Sequence, residues 1–197
     1  MTLRLPERIE SDRLVLRRWR PTDAPLLKDA IDTSLPHLQE WMPWAAAEPS
    51  PLPQIEDRLS GFAATFLAGR EWFYGIFTRT EDQVLGGCGL HPRSAISGER
   101  TDATAPGERV DRLEIGYWLR ADATGHGYAT EASRSLLQAA LAQPGIVAVE
   151  IRCDPENVQS AAVPPRLGFR RVGTAREPPA SGLQREETMV WEHDGCG

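Results

Sequence analysis

The sequence predicts a mixed α+β fold built around a single sheet. Short apolar or alternating runs typical of strands occur both before and after the helical stretches. The segments between them are rich in glycine, proline and small polar residues, which form turns and begin helices. With 197 residues, 41% hydrophobic and 25% charged, the chain has the composition of an ordinary globular domain. We therefore expect residues 1–197 to form one domain.

The first part of the chain predicts one strand and three helices. Residues 13–19 alternate polar and apolar side chains, which is typical of a half-buried strand. The first helix is expected to end near residue 32, and the second follows Ser34 and carries the sequence EWMPW. Apolar side chains at helical spacing predict the third helix over residues 54–68.

The rest of the chain predicts a hairpin, a loop and a second group of strands and helices. Residues 72–77 and 84–90 read as strands separated by a short acidic turn. Residues 93–110 are polar and lack periodicity, so we expect a long loop there. The remaining predicted elements are a strand, a helix, a strand, a short helix and two final strands, at residues 113–119, 128–142, 147–153, after 157, 169–174 and 187–191.

Charge and cysteine content limit the classes of partner. The net charge of −6 disfavours general nucleic-acid binding and is compatible with a cationic substrate or with solubility alone. No apolar stretch is long enough to cross a bilayer, and the first residues do not resemble a signal peptide. Cys88, Cys153 and Cys196 form no CxxC pair, and the histidines have no ligand spacing. We expect a cytoplasmic protein with no metal, no membrane contact and no direct nucleic-acid partner.

A glycine turn between a predicted strand and a predicted helix is the most informative segment. Gly125 and Gly127 allow the backbone to approach a ligand closely. The helix that follows directs its first free amides and its dipole at that ligand, which favours a phosphate or pyrophosphate. The turn lacks the third glycine of a dinucleotide fingerprint and the Lys-Ser/Thr ending of a triphosphate loop. Taken alone, it fits a flexible helix entry equally well.

Several motifs, in order along the chain, resemble the GNAT acetyltransferase superfamily, and specifically its RimJ/RimL-like branch. The resemblance spans about residues 9–191. The motifs are SDRLVLR at 11–17, EWMPW at 40–44, EIGYWL at 114–119, GHGYATEA at 125–132, NxxSAA at 157–162 and LGF at 167–169.

The resemblance implies a fold and an activity. The fold is one mostly antiparallel mixed sheet of about seven strands, with a central V-shaped splay and helices on both faces. The activity is direct transfer of acetyl from acetyl-CoA to a primary amine in a ternary complex, without a covalent enzyme intermediate. The acceptor could be a protein N-terminus or a small molecule, and a homodimer is compatible with this branch. Two alternatives stay open: an acyl-CoA-binding sensor with little catalysis, and transfer of a larger acyl group such as succinyl.

The resemblance also implies a set of coenzyme A contacts. The glycine-turn amides would hold the pyrophosphate, the strand edge before the turn would hold the pantetheine arm, and an asparagine would bond that arm or anchor a helix start. These residues are Leu119, Arg120, Gly125, His126, Gly127, Tyr128, Ala129, Thr130 and Asn157. Asp122 departs from the family pattern of Arg or Gln, and we expect it to point away from the phosphates or to cap the turn. Pro164 replaces a tyrosine that protonates the leaving thiolate in many members, so that role does not carry over.

An alkylammonium has a pKa of about 10 and must lose a proton before it can attack a thioester. Glu114 is the first candidate for the base, because a strand glutamate beside the acetyl site serves this way in relatives. The alternative is an exposed charge on a partly solvated face. Glu150 and Glu177 are lesser candidates.

Three further residues complete the predicted site. Ser160 could donate a proton to the leaving thiolate, as its motif position suggests, or bond backbone as a helix-start hydroxyl. Trp41 and Trp44 could wall the acceptor pocket, where a cation can lie over their rings, or they could close the hydrophobic core.

Overall fold

The computed structural model describes residues 3–94, 99–101, 110–176 and 187–195. The strands in these ranges are β1 (Arg8–Glu10), β2 (Leu14–Arg18), β3 (Trp72–Thr78), β4 (Val84–Ser94), β5 (Val110–Leu119), β6 (Ala148–Cys153), β7 (Arg170–Arg176) and β8 (Glu187–His193). The α-helices are α1 (Ala24–Asp32), α2 (Leu35–Trp41), α3 (Leu52–Leu67), α4 (Tyr128–Leu141), α5 (Val158–Ala161) and α6 (Val163–Arg166).

The described strands form one sheet in the order β1-β2-β3-β4-β5-β6-β8-β7. All neighbouring pairs are antiparallel except β5 and β6, which run parallel. These two strands pair only over residues 112–115 and 148–151. Beyond Ile115, β5 continues for four residues without pairing to β6, so the sheet opens there in a V. The mixed α+β fold with a central splay is therefore confirmed.

Helices cover both faces of the sheet, as predicted. On one face, α4 contributes Ala132 and Leu136 to a core that includes Leu14 and Ile76. On the opposite face, α1 and α3 pack on the strand residues that point the other way, so that Leu59 joins a core with side chains such as Val15 and Phe77. Because successive strand side chains alternate between faces, central strands such as β2 and β3 supply both cores.

The sheet differs from the sequence prediction at its first edge. The structure has eight strands in its described part, and the additional one is β1. This strand is three residues long and pairs with β2, and its side chains are mostly exposed. A short edge strand without an apolar face has no alternating pattern from which it could have been predicted.

Two other segments differ from the sequence predictions in the bounds of their helices and strands. Both ends of the expected loop at 93–110 belong to strands, because β4 extends to Ser94 and β5 begins at Val110. The intervening 95–98 and 102–109 lie outside the described residues. The expected short helix is split into α5 and α6, with Pro164 and Pro165 inside the second piece. Proline lacks an amide donor, which explains the break.

Candidate active site

The glycine turn has the backbone conformation that its sequence predicts. Gly125 and Gly127 have φ angles of 77° and 81°, in the left-handed region that other residues rarely adopt. Gly127 is the N-cap residue of α4, and its carbonyl accepts the first helical hydrogen bond, from the Glu131 amide. The two glycines therefore set the direction in which the chain enters the helix.

The amides of this turn are available to a ligand. Within the part of the chain that the structure describes, the N–H groups of residues 125–130 donate no hydrogen bond. The consecutive donors lie at the positive end of the α4 dipole, which is the arrangement that holds phosphate groups in many proteins.

A cavity of about 390 Å³ lies beside the turn. Arg166 of α6 adds a cationic side chain to its wall, a contribution that no motif in the sequence predicts. The predicted coenzyme contacts that line this cavity are Leu119, Gly125, Gly127, Tyr128, Ala129, Thr130 and Asn157.

Of the predicted coenzyme contacts, Arg120 is directed away from the ligand edge, whereas His126 contributes a turn amide. The Arg120 amide donates to the Leu85 carbonyl on β4, at 2.9 Å, and so points away from the splayed edge of β5. The buried Arg120 guanidinium bonds Asp122 at 2.6 Å and Asp29 at 3.2 Å. This side chain therefore ties β5 to α1, and Asp122 is turned from the phosphate turn as expected. The His126 ring is exposed and stacks on Tyr128, and the His126 amide is available for a ligand.

A second, larger cavity of about 810 Å³ lies on the α1 and α3 face of the sheet. Its walls are aromatic and include Trp41, Trp44 and Trp118. Trp44 is 36% exposed, and its ring meets that of Trp118 edge to face at 5.5 Å. Both predicted tryptophans thus lie in a cavity wall instead of deep in the hydrophobic core.

Glycines form part of the floor of this larger cavity. Gly87, Gly89 and Gly116 line it, and Gly89 is paired with Gly116 across β4 and β5. A Cβ atom at Gly87 would lie 2.5 Å from Nε1 of Trp118. Because paired residues on antiparallel strands point to the same face, the missing side chains leave open space above the sheet.

The two cavities meet where the sheet splays. Both are lined by residues of α2, β5 and the start of α5: Trp41, Met42, Tyr117, Trp118, Asn157 and Ser160. The meeting point lies just beyond Ile115, where β5 loses its pairing with β6. A ligand in one cavity therefore reaches a ligand in the other at the open edge of β5.

Tyr117 and Ser160 are joined by a hydrogen bond at this junction. The hydroxyl oxygens are 3.1 Å apart, and the Tyr117 hydroxyl also lies 3.1 Å from the Ser160 carbonyl oxygen. Burial raises the pKa of Tyr117, so the phenol keeps its proton near neutral pH. Asn157 accepts a hydrogen bond from the Ser160 amide at 3.0 Å and thereby anchors the start of α5. The sequence does not predict this role for Tyr117, because the residue lies on the face of β5 opposite Glu114, the predicted base.

Glu114 lines the larger cavity, but its carboxylate is held by two arginines. Arg93 binds it through Nε at 2.8 Å, and Arg100 binds it at 3.0 Å. Burial favours a raised pKa, but Arg100 and Arg93 outweigh it and lower the pKa of Glu114 to about 2. A carboxylate this acidic is a poor acceptor for an ammonium proton, so the geometry argues against Glu114 as the base.

The lesser base candidates are no better placed. Glu150 is buried next to Arg152, whose Nη2 lies 3.1 Å from its carboxylate, and Arg112 approaches at 3.6 Å. Neither cavity is lined by Glu150. Glu177 lies outside the described residues.

The described residues contain neither a membrane-spanning helix nor a group of metal ligands. None of the described helices combines the length and the apolar character that a membrane crossing requires. No group of three or more His, Cys, Asp and Glu side chains in the described ranges is arranged to bind a metal ion.

Comparison with known proteins connects this geometry to one family. A sequence model of the acetyltransferase (GNAT) domain matches residues 13–170. The Uncharacterized N-acetyltransferase p20 of Bacillus licheniformis is 25% identical over 171 residues, which are 87% of this chain and 86% of that protein.

Solved structures share the fold at low sequence identity. RimL, a ribosomal L7/L12 alpha-N-protein acetyltransferase in complex with coenzyme A, has a TM-score of 0.77 at 18% identity, covering 96% of this chain and 97% of that chain. The microcin C7 self immunity acetyltransferase MccE, in complex with acetyl-CoA and AMP, has a TM-score of 0.79 at 18% identity, with the same coverage. The domain match covers most of the chain, and the structural likeness confirms the fold. The chain therefore belongs to the GNAT acetyltransferase family.

Proposed function

We propose that this enzyme transfers the acetyl group of acetyl-CoA directly to a primary amine, with the two substrates in the two cavities. The observation that carries the proposal is the junction of these cavities at the splay between β5 and β6. Donor and acceptor reach each other there without an intermediate carrier on the protein.

The smaller cavity suits coenzyme A. Its pyrophosphate would accept hydrogen bonds from the amides of residues 125–130, with Arg166 adding positive charge. The pantetheine arm would follow the unpaired edge of β5 beyond Ile115 and bring the thioester to the junction. RimL and MccE bind coenzyme A and acetyl-CoA, respectively, which supports the same ligand here.

The junction has a donor for the leaving group. The Tyr117 and Ser160 hydroxyls share a hydrogen bond there, and the tyrosine keeps its proton near neutral pH. A thiolate that leaves beside Ser160 would take a proton from this hydroxyl pair. The pair would thus serve in place of the family tyrosine that Pro164 replaces.

The larger cavity suits the amine. Trp41, Trp44 and Trp118 line it, and aromatic rings bind apolar groups and ammonium cations. A small amine or the first residue of a protein fits a cavity of about 810 Å³. RimL acts on a ribosomal protein and MccE confers self immunity to microcin C7, so relatives of this fold are associated with both kinds of molecule. We place the reaction in the cytoplasm, where acetyl-CoA is available.

Two measurements test the proposal. Titration calorimetry should detect binding of coenzyme A, and free thiol should be released from acetyl-CoA in the presence of primary amines such as benzylamine and of peptides with a free N-terminus. Replacing acetyl-CoA by succinyl-CoA tests the acyl group, and we expect slower release. Absence of any heat of binding would contradict the assignment of the smaller cavity.

A second function, binding of acyl-CoA without turnover, is favoured by one observation. Glu114, the base that the resemblance to the GNAT family implies, is bound by Arg93 and Arg100. Tight binding of coenzyme A combined with no thiol release for any amine or peptide would support this sensor function instead.

A further inference from the structure

His91 on β4 forms a pair with Glu71, the residue before β3. Its Nδ1 lies 2.9 Å from Glu71 Oε1, and the His91 side chain is 8% exposed. An ionised carboxylate only accepts hydrogen bonds, so Nδ1 carries the proton in the neutral ring and Nε2 carries the lone pair. Within the described residues, Nε2 has no hydrogen-bond partner. A carboxylate that orients an imidazole in this way also stabilises the imidazolium formed when Nε2 takes a proton.

Nε2 of His91 lies over the floor of the larger cavity. A Cβ atom added at Gly89 would be 3.1 Å from Nε2, and one added at Gly116 would be 3.4 Å from it. These two glycines are paired across β4 and β5. Because neither has a side chain, the nitrogen is uncovered on the side of the cavity, which His91 also lines.

This position is close to the splay. Gly116 is the first residue of β5 beyond the last pair with β6, which joins Ile115 to Ile151. Neighbouring strands are about 4.8 Å apart, so a thioester along the open edge of β5 lies about one strand spacing from Gly116. An amine that attacks from the cavity would therefore reach Nε2 directly or through one water.

Glu114, a competing carboxylate in the wall of the same cavity, is occupied. Glu114 is the cross-strand partner of His91, and its carboxylate is bound by Arg93 and Arg100. We propose that His91, oriented by Glu71, is the group that takes the proton from the acceptor ammonium. The inference rests on the proposed function and adds a catalytic residue and a positioning residue to it.

The reaction then balances as follows. The ammonium gives one proton to Nε2 of His91, and the nitrogen lone pair forms a bond to the thioester carbonyl carbon. The carbon–sulfur bond breaks with its electron pair on sulfur, and a second proton from the nitrogen reaches this thiolate through Ser160 and Tyr117. The imidazolium releases the first proton to solvent. The products are the N-acetyl amide, the free thiol of coenzyme A and one proton.

Two acceptors of similar shape separate proton removal from other effects. Benzylamine is an ammonium near neutral pH, whereas phenylhydrazine is already neutral and needs no base before it attacks. For His91→Asn, we expect kcat/KM with benzylamine and acetyl-CoA to fall by about 100-fold or more, the usual contribution of a general base. The value for phenylhydrazine, corrected for the reaction without enzyme, should change little.

Further variants test the pair. Glu71→Gln keeps an oxygen that accepts from Nδ1 and should lower kcat for benzylamine only moderately, whereas Glu71→Ala should approach the loss seen in His91→Asn, with little change in KM. His193→Asn is the matched control, because His193 lies on β8 beside Phe169 and lines neither cavity.

The outcomes are distinguishable. Equal losses for benzylamine and phenylhydrazine in His91→Asn, with binding of coenzyme A retained, would overturn the inference and leave the proposed function standing. Wild-type protein that binds coenzyme A but acetylates neither amine nor any peptide would overturn the proposed function, and the inference with it.

Discussion

The Glu114 carboxylate shows how a single side chain changes its role with its neighbours. It is buried, and so is Arg93, one of the two arginines that bind it. Removing one member of a buried ion pair leaves an uncompensated charge. Glu114 is therefore expected to stabilise the fold, whichever group accepts the proton.

Glu114→Gln should lower the free energy of unfolding by about 3–5 kcal/mol, the usual cost of breaking a buried ion pair. Denaturant unfolding measures this, with Asp32→Asn as a control because the Lys28–Asp32 pair is partly exposed. A loss no larger than that of Asp32→Asn would contradict the stabilising role.

The pH dependence of the unfolding free energy follows from the same ion pairs of Glu114 with the two arginines. The pKa of Glu114 is lowered from 4.5 to about 2 in the folded protein, so its contribution is fully present above about pH 4.5 and is lost as the pH falls toward 2. The unfolding free energy of Glu114→Gln should accordingly fall less steeply than that of the wild type over this range.

For single residues, the sequence predicts which side chains line the cavities better than it predicts their protonation states. Glu114, Ser160 and the two tryptophans line the cavities, as their motifs suggest. What Glu114 can do depends on Arg93 and Arg100, which lie in a segment without periodicity. His91 has no motif, and its partner Glu71 comes from another strand end, so only the folded sheet brings them together.

The glycine turn and α4 act as one element. Gly127→Ala should destabilise the protein by about 1–2 kcal/mol, because a Cβ atom is disfavoured in the left-handed conformation. The same change should weaken binding of coenzyme A, since the amides of the turn would shift. Thermal unfolding and titration calorimetry measure the two effects.

Gly61→Ala is the matched control. Gly61 lies within α3, has ordinary helical φ, and an added Cβ would meet no atom within 4 Å. This change should stabilise the protein by about 0.5–1 kcal/mol and leave coenzyme binding unaltered. Equal effects of both substitutions would show that the conformation of the turn is unimportant.

Among the elements, those with strong periodicity were predicted within a few residues. The helix α4 and the strand β5 are examples, because each has an apolar pattern that depends on local sequence. The strand β1 and the division into α5 and α6 were not predicted, since they depend on an edge pairing and on where two prolines remove donors. The order of the last two strands, with β8 beside β6, is set by non-local pairing.

For the whole molecule, the arrangement of the cavities predicts a kinetic mechanism. Transfer across a shared junction requires both substrates at once, so initial rates should give intersecting and not parallel double-reciprocal lines. Cys88 and Cys153, the thiols that line the larger cavity, are poor nucleophiles because burial raises the pKa of each.

Incubation with radiolabelled acetyl-CoA alone should leave no label on the denatured protein. Parallel lines together with a stable acetyl-protein would contradict direct transfer.

The absence of side chains from β4 and β5 beneath the acceptor has a consequence for how specificity can change. A methyl group at Gly116 meets only the His91 ring, at 3.4 Å, whereas one at Gly87 would collide with the indole of Trp118. A side chain at Gly116 would therefore narrow the space for the amine without moving the phosphate turn, but it would also cover Nε2 of His91. At Gly87 an added methyl group would force the indole ring of Trp118 to move, so a change of specificity there would also disturb the cavity wall.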